Sequence, residues 1–119
     1  MAETLDNHGA ERQSWRMIDP APAPQDCTTM AQVRAGVDAL DRELIAMLDH
    51  RFGYMRAAAR IKPTRDAVRD ERRKVEVIAG AVAEADRCDL PADTIAAMWE
   101  VLVEGSIAYE LATWDQTRG

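Results

Sequence analysis

Cysteine is scarce in this chain of 119 residues, because Cys27 and Cys88 are the only two and lie far apart with no CxxC pattern. Structural metal sites and disulfide frameworks need several cysteines at short spacings, so neither is expected, and a reducing compartment is the simpler interpretation. No apolar run approaches the roughly eighteen residues of a membrane span. Residues 1–6 also lack the basic and apolar regions of a signal peptide. We therefore expect a cytoplasmic protein without a membrane segment.

Positive charge is also in deficit, since 15 Lys and Arg residues stand against 21 Asp and Glu residues, for a formal net charge of -6 at pH 7. This balance argues against nucleic-acid binding, which depends on a net basic surface and on counterion release. Four of the cations fall at near-regular intervals in helix-forming sequence: Arg34, Arg51, Lys62 and Arg73. Guanidinium and ammonium groups are natural receptors for carboxylates, so this set predicts a pocket for a small dicarboxylate.

Proline and alanine dominate the end of the first 26 residues, where residues 19–24 read Asp-Pro-Ala-Pro-Ala-Pro. Such a segment favours an extended chain that packs poorly. We therefore expect residues 1–26 to form a flexible tail and residues 27–119 to form one helical domain.

A long amphipathic helix is predicted directly after the tail. Thr28 and Thr29 are candidates for its N-cap, and apolar residues then recur at alternating spacings of three and four until Pro63. These residues are Met30, Val33, Val37, Leu40, Leu44, Leu48, Phe52, Met55 and Ala59. The pattern predicts a single helix of about 34 residues and about 50 Å. Such a helix overshoots a globule of this size, so we infer an intertwined homodimer.

Two shorter helices are expected after Pro63. The second covers about residues 67–87, with Asp66 as a possible cap, and the third follows Pro91. Their apolar faces comprise Val75, Ile78, Val82 and Ala85 on the second helix and Ile95, Trp99, Leu102, Val103, Ile107, Leu111 and Trp114 on the third. No strand pattern competes, so the expected fold class is all-α with three helices per chain.

Helix geometry decides which cations can meet. Arg51 and Lys62 are eleven residues apart, which returns them to nearly the same face three turns on. Arg34 precedes Arg51 by about 25 Å of helix, so it can reach the same ligand only from the other chain of an antiparallel dimer. Arg73 can fold back to the pocket through the turn at residues 63–66. Taken singly, each cation is more readily explained as a surface residue whose stem lies along its helix.

A carboxyl group falls within or beside the apolar face of the third helix, because Glu110 lies one turn after Ser106 and one turn before Trp114. Burial can keep a carboxyl group protonated and turn it into a hydrogen-bond donor, unless a cation such as Lys62 pairs with it. A salt bridge at the rim is the alternative. Asp70 also has two possible roles, as the cap of the second helix or as a group that orients a cation, and capping is the commoner of the two.

Taken together, these residues are similar to those of a known family. Residues 27–119 resemble the all-helical AroQ-type chorismate mutases, most closely the branch that contains isochorismate-pyruvate lyase. The matching motifs are Asp26-Cys27-Thr28, Val33-Arg34-Ala35, Asp38-Ala39-Leu40-Asp41, Arg51, Tyr54, Ala57-Ala58, Lys62, Val68-Arg69-Asp70, Arg73, Trp114 and Gln116-Thr117-Arg118-Gly119. Only residues 1–26 lie outside the resemblance.

The resemblance implies specific roles for the catalytic residues. Arg51 and an Arg34 supplied across the dimer interface would hold the two substrate carboxylates. Lys62 would contact a carboxylate and the ether oxygen, which Glu110 would face from the other side. In such enzymes chorismate rearranges to prephenate, a step of aromatic amino-acid biosynthesis, or isochorismate splits into salicylate and pyruvate. Both reactions are pericyclic, so the resemblance implies no cofactor.

The resemblance also places Asp70, Arg73 and Ser106 in the pocket, with Ser106 near the ring carboxylate or its hydroxyl. Two positions depart from the mutase pattern. Glu110 stands where Gln is common, so activity is expected to fall as pH rises, because only a protonated Glu donates to the ether oxygen. Lys74 stands where mutases often carry a Glu that binds the substrate's C4 hydroxyl, and the lyase branch lacks this Glu as well. Residues 63–70, in contrast, are more similar to a mutase.

The favoured prediction is therefore a chorismate mutase, and isochorismate-pyruvate lyase is the first alternative. The second alternative is a non-catalytic helical dimer that binds an anionic metabolite or a partner enzyme. Partner regulation is open in either case, because residues 115–119 are expected to be exposed and small mutases of this type can be activated by a larger shikimate-pathway enzyme.

Overall fold

Three α-helices make up nearly all of the computed structural model, which describes residues 21–118. They are α1 (Met30–Ile61), α2 (Glu71–Arg87) and α3 (Ala92–Arg118), and single turns of 3-10 helix lie at Pro24–Asp26 and Arg65–Ala67. No strand occurs within residues 21–118. The predicted all-α fold with one long and two shorter helices is confirmed. None of the helices in this part of the chain is long and apolar enough to cross a membrane.

The chain divides into two compact units, one up to His50 and one from Arg51 onward, and each is described by itself. The first unit contains the start of α1, which is fixed by a reciprocal capping box. Thr29 Oγ1 accepts the N–H of Gln32 at 3.2 Å, and the Gln32 side chain accepts the N–H groups of Thr28 and Thr29 at 2.7 and 3.2 Å. This confirms Thr29 as the cap.

The predicted N-terminal tail is described only at its end. Residues 1–20 lie outside the described residues, and Pro24–Asp26 forms a 3-10 turn in place of the extended chain expected for this segment. The N–H of Asp26 donates to the carbonyl of Ala23 at 2.8 Å, and that of Cys27 donates to the carbonyl of Pro24 at 3.2 Å. The turn brings the chain to α1, where a cavity of about 350 Å³ lies between residues 21–27 and the first turns of the helix.

The apolar stripe of α1 is largely exposed in the first unit. Its exposed members are Met30, Val33, Val37, Leu40 and Leu44, joined by Ile45 and Met47. Ala39 is the buried hydrophobic residue of this unit among the residues described. A contiguous row of large apolar side chains in water marks an interaction surface. The homodimer that we infer from the sequence remains a prediction.

The second unit contains the hydrophobic core. Val68, Val103 and Ile107 are buried together, and five partly buried side chains pack around them: Val77, Ile78, Trp99, Leu111 and Trp114. The last turns of α1 contribute Phe52, whose ring meets that of Tyr109 edge to face with centroids 4.9 Å apart. The α3 face predicted from the sequence thus supplies most of the core.

The start of α2 differs from the prediction. The helix begins at Glu71, and its cap is Asp70, whose side chain accepts the N–H of Arg73 at 3.0 Å. Asp66 is not the cap, because a 3-10 turn occupies Arg65–Ala67 and Asp66 Oδ1 accepts the hydroxyl of Thr64 instead. Prediction of a helix from residue 67 was wrong because a 3-10 turn has similar sequence preferences.

The predicted inner face of α2 is confirmed except at its first member. Ile78 and Val82 are partly buried and Ala85 is buried, whereas Val75 is 66% exposed. Near the start of the helix, Lys74 and Val77 are the partly buried residues instead. A lysine can lie on an inner face because its aliphatic stem packs while its ammonium group finds polar partners, and a pattern that counts only apolar residues does not include it.

A tight turn joins α2 to α3. The N–H of Leu90 donates to the carbonyl of Ala85 at 2.8 Å, and that of Asp89 to the carbonyl of Asp86 at 3.1 Å, which is the Schellman arrangement. Asp89 has φ 59°, a left-handed conformation that Asp tolerates better than most residues. Helix α3 then begins at Ala92, directly after Pro91.

Candidate active site

A cavity of about 360 Å³ lies in the second unit, between the last turns of α1, the 62–70 segment, α2 and α3. Its lining residues are Arg51, Met55, Ala58, Lys62, Val68, Asp70, Arg73, Lys74, Val77, Val103, Ser106, Ile107 and Glu110. Val68, Val77, Val103 and Ile107 reach the cavity from the hydrophobic core. The charged members come from α1, the 62–70 segment, α2 and α3. Every predicted site residue except Arg34 lines this cavity.

Lys62 and Glu110 form an ion pair inside the cavity. The Lys62 Nζ lies 2.8 Å from Glu110 Oε2, and the side chains are 29% and 6% exposed. Glu110 Oε2 is buried and receives no hydrogen bond from any described residue, so the contact is an ion pair without a hydrogen bond. Lys62 Nζ also donates to the carbonyl of Val68 at 3.2 Å. The ammonium group is thus held between α3 and the 62–70 segment.

Arg51 is bound to α3 by a neutral partner. Its Nη1 donates to Ser106 Oγ at 2.7 Å, and Ser106 in turn donates to the carbonyl of Leu102 at 2.7 Å. Ser106 is buried, because it sits among the apolar residues of α3. No carboxylate in residues 21–118 forms an ion pair with Arg51, so its charge has no compensation within the described part of the chain.

Arg73 is the second cation at this end of the cavity. Burial lowers the pKa of Arg51, and the positive charge of Arg73 lowers it further. Arg73 itself is 69% exposed and has only a long contact of 3.5 Å to Glu76. Two guanidinium groups that repel each other across a cavity wall are stabilised by an anion placed between them. This end of the cavity is therefore suited to a carboxylate.

Asp70 combines the two roles that the sequence left open. Its Oδ1 caps α2 by accepting the N–H of Arg73, and the residue also lines the cavity. Capping fixes the first turn of α2, which is the turn that carries Arg73 and Lys74. Asp70 therefore positions these two cations through the backbone.

Sequence reasoning missed the partners of Lys74. Its Nζ lies 2.7 Å from Glu100 and 2.7 Å from Glu104, and the Lys74 side chain is 17% exposed. Glu104 also accepts from Arg69 Nη2 at 2.7 Å. Glu100 and Glu104 follow each other at the spacing of one helical turn and face α2, which is the signal that could have indicated them. The charge of Lys74 is thus compensated, unlike that of Arg51.

Arg34 is placed differently from the other predicted site residues. It lies on the part of α1 that belongs to the first unit, where it is exposed. Its supply to the cavity from a second chain remains a prediction. No group of three or more His, Cys, Asp or Glu residues in the described part of the chain is arranged to hold a metal ion. Both cysteines are free.

The cavity therefore presents two chemical ends. Arg51 and Arg73 at one end attract an anion, and the Lys62–Glu110 pair at the other offers an ammonium group beside a buried carboxyl. The ammonium group has three N–H donors, of which one serves the carbonyl of Val68, and it lies beside Glu110 without a hydrogen bond to Oε2. Donors therefore remain for an oxygen of a bound molecule. Apolar side chains also line the cavity, among them Val103 and Ile107.

Two comparisons with known proteins identify the family of the chain. The family described as Chorismate mutase type II matches residues 33–111, which is more than half of the chain. An isochorismate pyruvate lyase from Pseudomonas aeruginosa is 28% identical over 96 residues, which cover 81% of this chain and 95% of that protein. The fold, the family match and this relative together show that the chain belongs to the all-helical AroQ chorismate mutase family, near its isochorismate pyruvate lyase branch.

Proposed function

We propose that this protein is a chorismate mutase, which converts chorismate to prephenate without a cofactor. The observation that carries the proposal is the 360 Å³ cavity, where the uncompensated Arg51 faces Arg73 at one end and Lys62 is held at the other. The substrate is a dianion with an ether oxygen between its two carboxylate-bearing parts. Its negative charges match the cations that line the cavity.

Substrate binding follows from the distribution of charge. Arg51 binds one carboxylate, and Arg73 lies close enough to share its negative charge. Bidentate contacts from a guanidinium fix both the position and the orientation of a carboxylate. The second carboxylate lies nearer Lys62 and is bound by Arg34 of a second chain. Held at both ends, the flexible substrate takes the compact conformation in which the reacting carbons meet.

The chemical step breaks the bond between the ring and the ether oxygen, while the side-chain methylene carbon bonds to the ring carbon that carries the carboxylate. No atom is gained or lost, so the protein needs only to stabilise the charge that develops. Negative charge grows on the ether oxygen, and the free N–H of Lys62 meets it there. Glu110 on α3 pairs with Lys62 and holds the ammonium group at this place.

A second candidate activity is the splitting of isochorismate into salicylate and pyruvate. Two observations favour it. A relative whose match covers 81% of this chain is named an isochorismate pyruvate lyase. In addition, Lys74 lines the cavity where a mutase often carries a Glu for the substrate hydroxyl, and its charge is already bound by Glu100 and Glu104. The same cations would serve this reaction, because the same carbon–oxygen bond breaks and the same charge develops.

Product identification decides between the two activities. The purified protein is incubated separately with chorismate and with isochorismate near neutral pH, and the products are identified. Prephenate from chorismate with little pyruvate from isochorismate is the expected result. Faster release of salicylate and pyruvate would assign the protein to the lyase activity. Turnover of neither substrate would contradict both and leave a binding protein for an anionic metabolite.

A further inference from the structure

The last turn of α3 holds the end of α1 through a set of hydrogen bonds that the cavity does not explain. Arg118 Nη1 donates to the carbonyl of Ala59 at 2.9 Å, and its Nη2 donates to the carbonyls of Lys62 at 2.9 Å and Arg60 at 3.3 Å. One guanidinium therefore binds three of the four carbonyls of residues 59–62, at the end of the same helix. Arg118 itself lies on the outside of the unit.

Trp114 adds a fourth hydrogen bond to the same place. Its Nε1 donates to the carbonyl of Lys62 at 3.2 Å, and its ring lies 4.4 Å below the guanidinium carbon of Arg118. The ring also packs against the buried core of Val68, Val103 and Ile107. Trp114 thus links the core to the backbone of Lys62 and supports Arg118 by a cation–π contact.

These contacts supply hydrogen-bond donors to backbone carbonyls that have none within the helix. The last four carbonyls of a helix have no partner within the helix, and here Pro63 follows directly and has no N–H to offer. The N–H of Lys62 still donates to the carbonyl of Ala58 at 2.9 Å. The backbone of Lys62 is therefore fixed on both sides, by Ala58 through its N–H and by Trp114 and Arg118 through its carbonyl.

We propose that Arg118 and Trp114 are positioning residues for Lys62, which hold its backbone so that the ammonium group stays beside Glu110 and over the reacting oxygen. The proposal rests on the proposed function in giving Lys62 its role in turnover. Loss of the Arg118 contacts frees the α1 terminus, and Lys62 then leaves its place in the cavity more often. Substrate binding by Arg51 and Arg73 does not depend on these contacts.

The first test compares kcat and KM of the wild-type protein with those of Arg118→Gln. We expect kcat to fall by at least about tenfold, because small displacements of a catalytic group cost one to two orders of magnitude, and KM to change far less. Arg118→Lys should recover part of kcat, since an ammonium reaches one of the three carbonyls. Arg87→Gln is the matched control, because Arg87 occupies the last turn of α2 and pairs there with Glu84, outside the cavity. An unchanged kcat in Arg118→Gln would overturn the proposal.

The second test needs no catalytic activity. The sequence contains only two lysines, Lys62 and Lys74, so trace acetylation followed by mass spectrometry compares them within one sample. Arg118→Gln should raise the acetylation rate of Lys62 relative to Lys74 by roughly threefold or more, because local opening exposes an otherwise protected group. Trp114→Phe, which keeps a ring but lacks the N–H, should raise it in the same direction.

An unchanged ratio of Lys62 to Lys74 acetylation in both folded variants would overturn the positioning role. The two proposals can fail separately. If the wild-type protein converts neither chorismate nor isochorismate, the proposed function fails, and the acetylation ratio still decides whether Arg118 holds Lys62. If Arg118→Gln does not fold, Trp114→Phe and Arg118→Lys supply the comparison.

Discussion

At the scale of single residues, the cations that line the cavity differ in whether a carboxylate of the described residues pairs with them. Lys62 is paired with Glu110, and Lys74 is paired with two carboxylates, whereas Arg51 has only the hydroxyl of Ser106. Burial and the charge of Arg73 already lower the pKa of Arg51. A substrate carboxylate is therefore stabilised most by contact with Arg51. Lys62 keeps N–H donors that can stabilise the charge of the transition state.

Replacement of Lys62 by Ala should damage turnover more than binding. The ammonium group meets charge that exists fully only in the transition state, and removal of one such donor costs roughly a hundredfold or more in kcat. The measurement is kcat and KM for chorismate or isochorismate, whichever the wild-type protein converts. A loss of kcat below about tenfold would contradict the role assigned to Lys62.

Glu110 is held beside Lys62, because its Oε2 lies 2.8 Å from the Lys62 Nζ. The sequence left a protonated donor and a salt bridge open for this carboxyl group, and the structure shows an ion pair with Lys62 inside the cavity.

At the scale of elements, ion pairs connect α2 and the segment before it to α3. Arg69 and Lys74 both bind Glu104, whose pKa these partners lower from 4.5 to about 2. Arg65 likewise donates to Asp115 at 2.8 Å. These contacts fix the 62–70 segment, on which Val68 and Asp70 lie, against the helix that carries Ser106 and Glu110.

Glu104 should make part of the stability depend on pH. Its pKa is lower in the folded protein than in the unfolded chain, so its contribution is fully present above about pH 4.5 and is lost as pH falls toward about 2. The difference in free energy of unfolding between the wild-type protein and Glu104→Gln should shrink across this interval. Urea unfolding at several pH values measures it.

The exposed pair of Glu84 and Arg87 provides the control for this experiment, because it lies within one helix and joins no other element. Glu84→Gln should change stability little, as is usual for exposed pairs. A wild-type advantage over Glu104→Gln that stays constant down to pH 2 would show that the cross-helix pairs do not stabilise the folded state.

The elements themselves were largely predictable from local sequence, and their partners were not. The recurrence of apolar residues at spacings of three and four predicted the apolar faces of α1 and α3, and Thr29 was one of two candidates for the N-cap of α1. The start of α2 was predicted too early, because residues 65–67 form a separate 3-10 turn before the helix begins at Glu71. Side-chain partners such as Glu104 and Arg118 were missed because long polar side chains choose partners across helices, which periodicity does not encode.

The cavity residues were predictable for a different reason. Arg51 and Lys62 share a helix face by geometry alone, Arg73 can reach them through the 63–66 turn, and Glu110 stands out as a carboxyl group at the apolar face of α3. How these residues meet depends on the packing of α2 and α3, and the pocket role of Ser106 came from the family resemblance. The role of Lys74 could not be obtained either way. It departs from the mutase pattern, and its partners Glu100 and Glu104 become visible only in the folded protein.

At the scale of the whole molecule, the functional unit that we propose is a pair of chains. Large apolar residues of α1, among them Leu40 at 57% and Ile45 at 65% exposure, are left uncovered in the first unit. A second chain that covers this face would also bring its own Arg34. Each cavity would then take Arg51 and Lys62 from one chain and Arg34 from the other, which makes activity a property of the dimer.

Mixing two inactive variants tests this account most directly, because recovery requires the cavity, the second chain and the activity together. Arg34→Ala and Arg51→Ala are unfolded together, refolded and assayed. Random pairing makes half of the dimers mixed, and each mixed dimer has one intact site, so about a quarter of the wild-type activity should return. A mixture of Arg51→Ala with Lys62→Ala, whose lesions lie in the same chain's share of the site, should recover none. Absence of recovery in the first mixture, or equal recovery in both, would contradict the account.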